Sequence, residues 1–115
     1  MKRSEFNIIV EARLKSITEV LLKKGQEYAS STDVFHNFKN SAGLSFHTCP
    51  EKIAWEFMVK HLRSIKDILD HVDTGGYNGY PSETLIEEKI GDAINYLILI
   101  EGMLKERIKD EHKQP

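Results

Sequence analysis

The feature that most constrains this chain is an apolar run with helical period between Ile86 and Leu104. Ile86, Ile90, Ala93, Leu97, Ile100 and Leu104 recur at steps of four and three, which is one face of an α-helix. Ile94, Ile98, Leu99 and Met103 make the middle of the same helix apolar on its other sides, which predicts a helix buried all round at the centre of the fold. Asp92, Asn95 and Tyr96 interrupt this apolar stretch. A buried carboxylate is costly unless it is paired, so these three residues raise the question of function.

Upstream, Phe6, Ile9, Val10, Leu14, Ile17, Val20 and Leu21 follow helical spacing and predict a first amphipathic helix over about residues 4–24, stopped by Gly25. Residues 25–39 are polar with interleaved aromatics and read as a connector. Within it Asp33 is a suitable N-cap for a short helix over residues 34–42, with Gly43 as its end. Thr48-Cys49-Pro50-Glu51 has capping-box spacing and opens a long helix whose core stripe is Ile53, Phe57, Leu62, Ile65, Leu69 and Val72. Glu56, Lys60, Ser64, Asp67 and His71 form a polar stripe on that helix. Periodicity alone reads it as a solvated face. Residues 73–81, with three glycines and two tyrosines, are a loop, read either as a linker or as a lid. Ser82 or Thr84 then caps the central helix, which is expected to run towards Arg107 or Lys109.

With no strand alternation or hairpin chemistry, the reading is all-α: a helical bundle of three long helices plus a short one, forming a single domain over residues 1–109 with a frayed charged tail at 110–115. The first and central helices carry more apolar surface than three helices readily cover, so the bundle is expected to be completed as a homo-oligomer. A net charge of −2 disfavours nucleic acid and acidic membranes as partners. The longest apolar run, Leu97 to Ile100, is too short to span a bilayer, and Met1-Lys2-Arg3 is followed by Ser4-Glu5 instead of a signal-peptide core. A lone Cys49 suits a reducing compartment, so a cytoplasmic location is expected.

Among candidate chemistries, His36, His47, Cys49, His61 and His71 lack paired zinc-ligand spacings, and no nucleophile elbow is present. Carboxylates are more promising. Glu88 and Asp92, four apart on one helix face, have the geometry to share Mg²⁺, a cation usually held by one or two carboxylates with water and phosphate. Alternatively Asp92 is the salt-bridge partner of Lys60 or Arg63 from the preceding helix, a pair that also suits phosphate. Asn95 and Tyr96 then offer directional hydrogen bonds and a ring for a base or sugar.

Lys24-Gly25-Gln26-Glu27-Tyr28-Ala29, Asn37-Phe38, the segment from Lys60 through Arg63 to Ile65, and Lys89-Ile90-Gly91-Asp92-Ala93-Ile94-Asn95-Tyr96 resemble the successive motifs of the nucleotide modification associated domain 1 family, small helical proteins of phages and bacteria. The resemblance covers roughly residues 15–105 and rests on scattered polar positions. More distantly, Glu88-Lys89-Ile90-Gly91-Asp92 is similar to the metal-binding helix of all-α nucleoside triphosphate pyrophosphohydrolases of the MazG and dUTPase type, although Lys89 stands where those enzymes carry a glutamate.

The resemblance implies a nucleotide-binding protein of phage or bacterial nucleotide metabolism. Lys60 and Arg63 would face phosphate, with Ser64 among the ligand-binding residues; Lys24, Glu27, Tyr28, Asn37 and Phe38 would close the pocket, Asp92 and Asn95 would form its floor, and Asn95 and Tyr96 would meet a base or sugar. Glu88 and Asp92 would act as catalytic and metal-binding residues if Mg²⁺-dependent hydrolysis or transfer occurs. The other reading is a non-catalytic protein that sequesters or senses a nucleotide, which Lys89 in place of an acid favours.

Overall fold

The computed structural model describes residues 1–24, 33–41, 48–73 and 81–113, with the backbone alone at Lys24 and Asp73. The helix stop at Gly25, the connector residues Glu27 and Tyr28, the end at Gly43 and most of the Gly-rich loop lie outside the described residues. The fold is all-α. Helix α1 spans Arg3–Ile17 and continues as a π-helical segment over Thr18–Lys24; α2 is short, His36–Asn40; α3 spans Pro50–Asp73 and α4 spans Glu83–Lys113. No strand occurs among the described residues.

Local chemistry sets the helix ends. The Lys2 amide donates to the Glu5 carboxylate at 3.0 Å, and the Lys2 carbonyl accepts from the Glu5 and Phe6 amides. The Thr18 hydroxyl donates to the Leu14 carbonyl at 3.0 Å, four residues back, and from this residue the helix widens to the π form instead of running on as α. Such side-chain competition for an i−4 carbonyl perturbs helices. Pro50 occupies the first position of α3, where its missing N–H costs nothing, while the Cys49 carbonyl accepts from Lys52 and Ile53. The helix therefore opens one residue later than a Thr48 cap implies. Asp33 accepts from the Phe35 amide at 2.9 Å and tightens the turn before α2, which begins at His36 instead of Val34. Ser82 caps α4, its hydroxyl accepting from the Leu85 amide at 3.1 Å. At its other end α4 extends to Lys113, so residues 110–113 are helical.

Helices α3 and α4 pack antiparallel, in a register fixed by contacts of Glu51 with Arg107 and of His61 with Asp92. Their seam holds the buried core: Ile53, Ala54 and Met58 from α3, Ala93 and Met103 from α4. Fully burying a side chain the size of Ile53 or Met58 stabilises by about 1.5–3 kcal/mol. Helix α2 lies over one side of this pair. Phe38 meets Phe57 at 6.2 Å and Tyr96 at 6.4 Å between ring centroids, and Phe35 sits directly on Gly102. A Cβ on Gly102 would lie 2.8 Å from the Phe35 ring, so this glycine is what lets α2 approach α4.

Two expectations change. Helix α4 is not buried all round, because only part of its circumference meets α3 and α2. Gly91, Ala93 and Met103 are buried, while Ile90, Leu97 and Leu104 are 38%, 52% and 49% exposed. Helix α1 contributes no buried residue and touches α4 through Arg13, whose guanidinium covers Gly91 and donates to the Glu87 carbonyl at 3.2 Å. Correspondingly, Asp92 is a half-exposed residue and not a buried carboxylate.

Candidate functional site

Helical periodicity brings a histidine, a carboxylate, an amide and three aromatic rings together where α2 covers the α3–α4 seam. On α3, His61 follows Phe57 by four residues and precedes Ile65 by four, so it lies on the core stripe. Its Nδ1 is 3.4 Å from Asp92 Oδ2, and its ring is 5.5 Å from the Tyr96 ring at 31°. Tyr96 in turn takes the edge of Phe38, which leans on Phe57. Burial, and secondly the charge of Asp92, push the Tyr96 phenol above its ordinary value, so it is a neutral hydrogen-bonding group at physiological pH.

Two atoms in this region stand out. His61 Nδ1 and Asn95 Oδ1 are both buried, and neither has a hydrogen-bond partner. The His61 Nδ1 lies within ion-pair range of Asp92, yet the two are not aligned as a hydrogen bond. An unsatisfied buried polar atom costs about 1–3 kcal/mol, so two near one aromatic cluster are expensive to keep in an unliganded fold. Asn95 shares a line of α4 with Gly91 and Gly102, the side of the helix on which α2 lies. Together these groups set polar atoms without hydrogen bonds close to aromatic rings, a pairing of chemistries that suits a planar heteroaromatic ring better than a bare phosphate.

The residues predicted to hold phosphate lie elsewhere. Lys60 and Arg63 are exposed, and at 3.6 residues per turn Arg63 falls about 160° round α3 from His61. The side chain against Asp92 is His61, not Lys60 or Arg63. Ser64 donates to the Lys60 carbonyl at 3.2 Å. Glu88 is exposed and sits 3.8 Å from Lys89. Asn37 is exposed on α2, while Phe38 and Tyr96 are part of the cluster. Glu27, Tyr28 and the side chain of Lys24 lie outside the described residues. No group of three or more His, Cys, Asp or Glu side chains suited to a metal occurs among the described residues. His61 is the residue that sequence reasoning missed: it was weighed only as a zinc ligand, although its place on an apolar stripe was visible.

At the other end of the seam a cavity of about 230 Å³ is lined by Lys39, Glu51, Met103, Glu106 and Arg107, among others. Here the charged groups answer one another. Lys39 bonds Asp33 and Glu106, both at 2.7 Å, which holds the Lys39 ammonium well above its ordinary value and the Asp33 carboxyl below its own. Arg107 grips both oxygens of Glu51, and the Cys49 thiol donates to the same carboxylate at 2.7 Å. The Arg107 guanidinium lowers the Glu51 carboxyl from 4.5 to about 2. Against this geometry, comparison with known proteins finds that no family model, no curated protein and no solved structure matches the chain.

Proposed function

We propose that this protein binds a nucleotide or nucleotide-like ligand at the His61–Asp92–Asn95–Tyr96 cluster, with the base against the aromatic rings. The observation that carries the reading is the pair of buried, unpartnered atoms His61 Nδ1 and Asn95 Oδ1 beside the Phe38, Phe57 and Tyr96 rings. A base edge presents donors and acceptors in a plane, so one ring satisfies such atoms while stacking or packing on the aromatics. Phosphates then extend from the base towards solvent.

Binding without catalysis is the preferred form of this reading. Glu88 and Asp92 share a helix face and retain the alternative of Mg²⁺-assisted hydrolysis at a nucleotide phosphate. A thermal-shift screen of common and modified nucleotides and cyclic nucleotides, run with Mg²⁺ and with EDTA, tests both. A binder gains melting temperature in EDTA and leaves the nucleotide intact, whereas a metal enzyme needs Mg²⁺ and releases product. No shift under either condition with any nucleotide overturns the proposal.

A further inference from the structure

Trp55, Leu62 and Leu69 on α3 and Ile90, Leu97 and Leu104 on α4 are all exposed, from 38% to 61%. In each helix the spacing is seven residues, the repeat that forms a helix–helix seam. With about 100° between successive residues, the α3 line lies about 100° round from the edge facing α4, and the α4 line about 130° round from the edge facing α3. Because the helices are antiparallel, both rotations lead to the same side of the pair. It is the side opposite α2, whose Phe35 and Phe38 occupy the other. The register set by Glu51–Arg107 and His61–Asp92 places Trp55 between Leu97 and Leu104, and Leu62 between Ile90 and Leu97. The six side chains thus form one apolar face two helices wide.

We infer that a second copy of this chain covers this face, so that α3 and α4 of two protomers make a four-helix bundle about a two-fold axis. The surface area is the first argument for a second copy. The chain exposes 9112 Å², where a compact monomer of its 13.2 kDa mass exposes about 6,400 Å². The excess, about 2,700 Å² per chain, is shared with the exposed apolar residues of α1 and still leaves room for the about 1,000–2,500 Å² that each partner of an obligate dimer buries. Likewise the radius of gyration is 17.3 Å, against about 13 Å for a compact domain of this length.

Shape and charge are the second argument. A face two helices wide with a heptad line on each helix is complementary to itself, which an isologous interface requires. Its flanks carry the mixed-sign pairs Lys66–Asp70 and Glu101–Lys105, so neither sign repels a copy, and no basic excess invites an anionic membrane.

The lone tryptophan makes the face directly observable. Sedimentation of the full chain at micromolar concentration is expected to give twice the chain mass. Dilution is expected to dissociate it, with a red shift of Trp55 emission and a lower melting temperature. Leu97→Glu and Leu104→Glu are expected to give monomers that keep their helical circular dichroism. Should those variants not fold, the wild-type dilution series still decides. Sedimentation at one chain mass up to 100-fold higher concentration, with constant emission and melting temperature, overturns the inference, whether or not the chain then binds anionic vesicles or another protein. So does a dimer in which Trp55 stays as open to acrylamide quenching as in the unfolded chain.

Discussion

One end of the α3–α4 seam and its middle hold polar side chains in opposite conditions. At the Glu51–Arg107 end, each of Asp33, Lys39, Glu51, Glu106 and Arg107 has a charged partner, so four of the five charged groups lining the cavity there, all but Asp110, are already paired. At His61 and Asn95, by contrast, His61 Nδ1 has Asp92 at 3.4 Å without a hydrogen bond to it, and Asn95 Oδ1 has no hydrogen-bond partner. Satisfied groups hold structure together, while unsatisfied ones cost stability unless a ligand completes them. The Glu51–Arg107 end therefore reads as a clamp, and the His61–Asn95 region as the site proposed for the ligand.

The sharpest contrast comes from a substitution that removes function without removing stability. Asn95→Leu replaces the orphaned amide by an apolar group of similar volume. It is expected to leave the melting temperature equal or higher, yet to weaken nucleotide binding at least about tenfold, the value of one good hydrogen bond. Calorimetric titration and a thermal melt on the same sample read both effects. Gly102→Ala should show the largest loss of stability, about 1–3 kcal/mol by chemical denaturation, because the new methyl meets the Phe35 ring and α2 must move.

At the clamp, Glu51→Gln leaves the half-exposed Arg107 without its carboxylate. After allowance for solvent screening the expected cost is about 1 kcal/mol, with no change in nucleotide affinity. The same pair predicts the acid response. Since the folded-state value of Glu51, about 2, lies below the ordinary 4.5, its contribution is full above pH 4.5 and is lost as pH falls towards 2. Melts of wild type and Glu51→Gln across that window should converge at the acid end. The smallest effect belongs to Gly91→Ala. The atoms a new methyl meets are the flexible end of Arg13, and alanine favours helix by up to about 1 kcal/mol, so stability is expected to hold or rise slightly.

Sequence periodicity was enough to find the helices, because caps and apolar stripes are local signals. Ser82 does cap the last long helix, and Pro50 does open the one before it. What was not legible is which side of each helix is left open. Ile90, Leu97 and Leu104 read as one face of a buried helix, and in the fold they are 38%, 52% and 49% exposed. The switch to π-helix at Thr18, where the hydroxyl bonds the Leu14 carbonyl, is encoded in no periodicity. For the site, Asp92, Asn95, Tyr96 and Phe38 were singled out as polar or aromatic interruptions. His61 has no such signal: a lone histidine without paired ligand spacing carries no chemistry until the fold sets it against Asp92 and Tyr96.

The claim that the orphaned atoms form a ligand site is tested most directly by nuclear magnetic resonance. A nucleotide is titrated into the protein in EDTA while the Asn95 side-chain amide, the His61 ring and the Arg107 guanidinium are followed. The account predicts saturable shifts at Asn95 and His61 with Arg107 unmoved. Shifts centred on Arg107 and Lys39, or none at Asn95 and His61 at millimolar nucleotide, would contradict it.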